Sequence, residues 1–83
     1  MTQFNLDVLI SEYSYSELID TKTILKKMLE YSRKSIEKAI DNDDYNIISK
    51  INTEMNNVFN NIRLVEEAIS VKTIQTFETI NLN

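Results

Sequence analysis

The side chains of this sequence that could take part in chemistry are carboxylates, amines, hydroxyls and phenols, because it contains neither cysteine nor histidine. It therefore lacks the thiolate nucleophile, the commonest metal ligand and the commonest general base near neutral pH. A serine activated by a lysine is the nucleophilic pair that is left, and no motif supports it. Phosphate-binding loops need glycine, which is also absent. We predict that the protein is not an enzyme and uses no cofactor.

Three carboxylates in the middle of the chain have the spacing that begins a calcium-binding loop: Asp41, Asp43 and Asp44. Such a loop also needs a central glycine and a terminal bidentate glutamate, and Asn52 stands where that glutamate would be. Short acidic and amide side chains also end one helix and cap the next. We therefore interpret the segment as a helix-capping turn without a metal, in which Asn42 is expected to take the left-handed conformation.

Three basic residues, Lys22, Lys26 and Arg33, fall on one line of a helical projection and form what we call the basic stripe. A basic stripe can follow a phosphate backbone. The formal net charge is −4, and no nucleic-acid-binding motif accompanies the stripe. We prefer a solvated helix face, and a small nucleic-acid-associated regulator remains an alternative.

The elements that position these groups are predicted to be helices, since glycine and proline are both absent. We predict one all-α domain over residues 1–83, with helices at about 5–13, 15–40 and 44–72 and a tail at 73–83 that frays or redirects. Asn5 is a good cap for the first helix, although alternation over 4–10 also fits a strand. Ser14 and Glu17 match a capping box at the start of the second helix.

The third helix carries the clearest periodicity of the sequence, an apolar seam with alternating steps of three and four residues. The helix seam consists of Ile48, Ile51, Met55, Val58, Ile62, Val65 and Ile69. It ends at Lys72, and Thr73 and Thr76 weaken the helical propensity beyond. The second helix has its own apolar arc, made of Leu18, Leu25, Leu29 and Ile36. A short turn between two such helices predicts an antiparallel helical hairpin, and we expect the seam to pack inside it.

More large apolar residues remain than a lone hairpin can cover, and exposed apolar patches of some size usually mark interfaces. We predict that partner binding uses Val71, Ile74, Phe77, Ile80, Leu82 and Phe59. For the cluster after residue 70, partner contact and a disordered tail are equally open alternatives.

This layout (a short helix, a basic long helix, an acidic turn and a heptad helix) resembles two groups of hairpin proteins. One is the small co-chaperones of type III secretion needles, and the other is the inhibitors of phages and plasmids. The frequent Asn and Ile favour an AT-rich bacterial or phage genome. We expect a cytoplasmic protein-binding module, an adaptor, chaperone or inhibitor, that forms a dimer or a hetero-complex through coiled-coil-like packing. No membrane span is predicted. A phage inhibitor that presents acidic surface (residues 41–44, Glu66 and Glu67) to a nucleic-acid-binding enzyme is a further alternative.

Overall fold

The computed structural model describes the backbone of residues 3–82 and the side chains of residues 3–78. It contains three helices: α1 at Leu6–Glu12, α2 at Tyr15–Asp41 and α3 at Tyr45–Leu82. Helices α2 and α3 pack together as a long hairpin, and α1 packs against α3. No strand occurs in residues 3–82. The predicted all-α hairpin with a short N-terminal helix is confirmed.

The first two helices begin at the predicted caps. The Asn5 side chain accepts hydrogen bonds from the amides of Asp7 (2.9 Å) and Val8 (3.3 Å). The Ser14 hydroxyl accepts from the Glu17 amide at 3.1 Å, and the Glu17 carboxylate accepts from the Ser14 amide at 3.0 Å. This reciprocal pair satisfies amides that lack partners at a helix start, as a capping box does.

The acidic turn between α2 and α3 differs from the prediction in one residue. Asn42 is the C-cap of α2 with φ −98°, whereas Asp43 has φ 54° and takes the left-handed conformation. The helix includes Asp41, so the residue that reverses the chain comes one position later than expected. Asp44 then caps the start of α3, since its carboxylate accepts a hydrogen bond from the Ile47 amide at 3.3 Å.

The helix seam is an intramolecular contact, as predicted. Val58, Ile62 and Val65 are buried, and the other four seam residues are half-buried. From α2, Leu18 and Leu25 are buried in the same cluster. The buried part of the seam therefore packs against α2 within the hairpin.

The expected end of the third helix near residue 72 is wrong, since α3 continues as one helix to Leu82. The hydroxyls of Thr73 and Thr76 donate to the carbonyls of Ile69 (2.8 Å) and Lys72 (2.9 Å), one turn earlier. Threonine in this bonding pattern is accommodated within a helix. The predicted fraying or redirection at 73–82 is therefore corrected, and residue 83 lies outside the described range.

One buried polar side chain and several apolar side chains hold α1 against the hairpin. Asn61 is fully buried, and its side-chain oxygen accepts a hydrogen bond from the Phe4 amide at 3.1 Å. Leu9 is buried in the common core. Partly buried residues from this segment pack around it: Phe4, Leu6, Ile10 and Tyr13.

Candidate functional site

The two ends of the hairpin are covered to different extents. Lys22 and Glu66 approach within 3.9 Å, which places the start of α2 beside the second half of α3. Helix α1 packs against α3, and Phe4 just before it contacts Asn61 near the middle of α3; we call this part the α1 end. Towards the acidic turn, residues 3–82 contribute only α2 and α3 to the hairpin, and we call this the turn end. Because α1 does not reach the turn end, we expect an exposed apolar binding surface there.

One apolar row of α2 is exposed towards the turn end. Ile24 is 59 % exposed, Tyr31 is 75 % exposed, and Met28 between them is also exposed. These residues and Ser35 are spaced by four, three and four positions, so they lie on one helix face. Together with α3 they line two neighbouring surface depressions that share Tyr31, and the second one reaches Ala39 and the turn.

On α3 the depressions lie on the face that also holds α1. Ile47, Glu54, Asn61 and Ala68 follow each other at intervals of seven residues, so they share one helix face. The Asn61 side chain accepts a hydrogen bond from the amide of Phe4, just before α1. Glu54 and Ile47, one and two heptads earlier, line the depressions. Among residues 3–82, the α3 surface on which α1 packs therefore continues uncovered towards the turn.

We call this uncovered continuation the turn-end groove. Its lining on α2 is Ile24, Met28, Tyr31 and Ser35, and its lining on α3 is Ile47, Ile51 and Glu54. From Ile24 to Ala39 it follows α2 for about 22 Å at the helical rise of about 1.5 Å per residue. That length matches a helix of about four turns.

The charged residues that line the groove are of both signs, and the basic ones lie on α2. Lys27 and Lys38 line it from α2, and Lys34 lies between them on the same edge by its spacing. Glu54 lines it from α3, and Asp44 lies at the turn. The Asp44 carboxylate is already engaged with the Ile47 amide.

The residues predicted from sequence to bind a partner lie elsewhere and do not form one surface. Phe59 is exposed, and two positions separate it from Asn61, so it lies on the opposite side of α3 from the groove. Ile74 and Phe77 are exposed near the end of α3, and Val71 is half-buried. Phe77 borders a shallow depression with Tyr15, Thr73 and Thr76. The side chains of Ile80 and Leu82 lie outside the described residues.

The basic stripe lies along one exposed side of α2, and two of its three members are engaged by carboxylates. Lys22 pairs with Glu66 at 3.9 Å. Arg33 contacts Glu30 at 2.6 Å and Glu37 at 3.8 Å. The hydrogen bond from Arg33 lowers the pKa of the Glu30 carboxyl below its ordinary value. Much of the stripe's charge is therefore balanced locally.

The acidic residues do not assemble into a metal site in the part of the chain that the structure describes. Asp41, Asp43 and Asp44 form the turn between the long helices, with Asp41 as the last residue of α2. Glu66 is paired with Lys22, and Glu67 is exposed beside it.

Sequence reasoning missed both Asn61 and the groove. Asn61 belongs to a local run rich in asparagine at 56–61, in which nothing marks one member as buried. Ile24 and Ile47 were recognisable as surplus apolar residues, but their common groove depends on how far α1 reaches along α3. The signal that could have located it is the mismatch in length between α1, with 7 residues, and α2, with 27.

Comparison with known proteins gives no match: no protein-family model, no curated protein and no solved structure resembles the chain significantly. Among the described residues, no helix combines the length and the apolar character needed to cross a membrane.

Proposed function

We propose that the protein is a non-enzymatic binding module that acts by packing a helix of another protein chain against its own helical hairpin. The observation that carries this proposal is the incomplete third layer. Helix α1 covers one end of the α2/α3 hairpin, and among residues 3–82 no third helix covers the exposed apolar row of Ile24, Met28 and Tyr31 at the other end. Large apolar side chains that face water in a contiguous row favour association over solvation.

The proposal covers the roles of adaptor, chaperone and inhibitor, which share this mode of contact. Helix-in-groove recognition uses apolar anchors at helical spacing on the partner and a preformed apolar groove on the receptor. On this protein, Ile24, Met28 and Tyr31 are exposed along one face of α2, where they would contact the apolar anchors of a partner helix. The dimer and the hetero-complex differ only in whether the added helix comes from a second copy.

The nucleic-acid alternative has weaker support. A stripe that binds phosphate must offer charge that is not already neutralised, and Lys22 and Arg33 both contact carboxylates. The acidic-surface alternative uses residues 41–44, Glu66 and Glu67. Glu66 is paired with Lys22 and Asp44 caps α3, whereas Asp41, Asp43 and Glu67 are exposed. Both alternatives stay predictions.

Selection from a display library of helical peptides tests the proposal without knowledge of the natural partner. The library fixes apolar residues at i, i+4, i+7 and i+11 and randomises the others. A matched library carries serine at the fixed positions. We expect the apolar library alone to yield peptides that bind with micromolar or better affinity, because the binding energy comes from apolar burial.

Light scattering over a range of protein concentrations covers the case of self-association. A mass that rises to a dimer supports the proposal with a second copy as partner. A chain that stays monomeric at high concentration, and that yields no binder from the apolar library, would contradict the proposed function.

A further inference from the structure

We propose that the turn-end groove receives an amphipathic helix of a partner protein whose apolar face is flanked by carboxylates. This inference rests on the proposed function and assigns it a place and a partner chemistry. It differs from the sequence prediction, which placed partner binding at Phe59 and after residue 70.

We infer that the bound segment is a helix, because the groove continues the surface of α3 against which α1 already packs. Helix α1 contributes Leu9 and its apolar neighbours to the hairpin core, and its first residues meet α3 at Asn61. Glu54 and Ile47 repeat the position of Asn61 at intervals of seven towards the turn. A second helix placed in line with α1 would therefore find the same face of α3.

The groove offers the apolar contacts that such a helix needs. Met28 and Val58 border its upper part, and Ile51 and Ile47 border its lower part. Val58 is already buried and half-buried Ile51 faces the same depression. A docked apolar side chain would therefore extend the existing core and would not create a separate one.

The lysines along the groove favour a partner helix that carries carboxylates on both sides of its apolar face. Lys27, Lys34 and Lys38 are all exposed along α2, and Lys50 is exposed on the groove face of α3, four residues before Glu54. No ion pair involves these four lysines within residues 3–78. Carboxylates on the partner would gain attraction from them, and lysines would meet repulsion.

The same lysines disfavour a second copy of this chain as the occupant. When two identical grooves meet about a two-fold axis that runs across them, the α2 edge of one copy faces the α2 edge of the other. Such a contact would gather the lysines of both α2 edges around one interface, where like charges oppose association. A separate acidic partner avoids this repulsion.

Two stapled helical peptides of about four turns provide the probe. Both carry leucine at i, i+4, i+7 and i+11. One has glutamate at the flanking positions and the other has lysine. We expect the glutamate peptide to bind at least about tenfold more tightly at low salt, with the difference shrinking as ionic strength screens the charges.

Variants of the full chain locate the site. The double variant Met28→Gln and Tyr31→Gln should weaken binding of the glutamate peptide at least about tenfold, because anchors of this kind carry most of the binding energy. The matched control Phe59→Gln removes an exposed aromatic residue from the opposite side of α3 and should leave binding unchanged. Replacing Lys27, Lys34 and Lys38 by Gln should strongly reduce the preference for glutamate over lysine flanks, because Lys50 alone of the four lysines remains. Backbone circular dichroism of each variant verifies that the helices are retained.

Several results would overturn the inference. Equal affinity for both peptides would contradict the proposed preference for carboxylate flanks. If neither peptide bound, the proposal would also be contradicted. Loss of binding in Phe59→Gln but not in the double groove variant would move the site elsewhere and leave the proposed function intact. A dimer that forms without peptide and dissociates in the double groove variant would identify a second copy as the occupant. Failure of the proposed function itself is recognised separately, by the display and light-scattering experiments.

Discussion

The α1 end and the turn end of the hairpin use the same two helices and differ in how deeply they bury them. At the α1 end, Leu18 and Val65 are fully buried. At the turn end, Ile36 of the α2 arc and Ile48 and Ile51 of the helix seam are only half-buried. Two packed helices shield one stripe of each other, and full burial needs a third element. The difference teaches that α1, although it has 7 residues, decides where this chain has a complete core.

The largest expected effect compares one residue type at the two ends. Leu18→Ala should lower the free energy of unfolding by about 2–5 kcal/mol, the range for a fully buried leucine. Leu29→Ala, at a half-buried position nearer the turn, should lower it by about 1–2 kcal/mol since less apolar area is lost. Urea denaturation followed by circular dichroism measures both. Equal losses would show that the turn end is as well packed as the α1 end.

The next effect concerns the fastening of α1. Asn61→Ala removes the acceptor of the Phe4 amide and should cost about 1–3 kcal/mol, because a buried hydrogen-bond partner is lost. Asn60→Ala, at the exposed neighbouring position, should change stability by less than about 0.5 kcal/mol. Amide hydrogen exchange at Phe4 should accelerate in the first variant alone. Unchanged exchange there would mean that α1 is held without this bond.

A smaller effect tests the cap of α2 at the α1 end. Ser14→Ala should destabilise the protein by about 1 kcal/mol, as loss of a helix N-cap usually does. The hydrogen bonds between Ser14 and Glu17 lower the pKa of the Glu17 carboxyl from 4.5. A lowered folded-state pKa contributes stability that is present above the unfolded pKa and is lost as pH falls through the folded one.

Unfolding measured between neutral pH and about pH 3 should therefore show this contribution fading in the natural chain. In Glu17→Gln, which cannot ionise at this position, that part of the pH dependence should be missing. An identical pH profile for both proteins would contradict the assignment.

The smallest effect lies at the turn end. Asp43 has φ 54°, a conformation that glycine adopts without steric cost. Asp43→Gly should raise the free energy of unfolding by a few tenths to about 1 kcal/mol. Asn42→Gly serves as the control, because φ −98° at Asn42 needs no glycine, and it should not stabilise. Thermal unfolding of both variants distinguishes them.

The elements that depend on neighbouring residues could be predicted from the sequence. The caps at Asn5 and Ser14 and the seam through Val58, Ile62 and Val65 follow from local hydrogen bonding and helical spacing, and the structure confirms them. The length of α3 could not be predicted in this way. The side chains of Thr73 and Thr76 bond within the helix, and their low intrinsic propensity did not end it.

The candidate groove could not be derived from the sequence because its position depends on a contact between distant residues. Ile24 and Ile47 are visible as surplus apolar residues, but only the position of Phe4 over Asn61 shows which part of the hairpin stays uncovered. The predicted cluster after residue 70 was inferred from composition alone. Ile74 and Phe77 are exposed there, and their role stays a prediction.

The hydrogen bond from Phe4 to Asn61 also bears on the order of folding. It joins residues 57 positions apart, whereas α2 and α3 are connected by the three residues 42–44. Closing a longer loop costs more chain entropy and is slower, so contacts near the turn can form first. We therefore expect the contacts between α2 and α3 to form first near the turn, where the packing is weaker. Helix α1 should dock last, although it completes the best-packed part of the molecule.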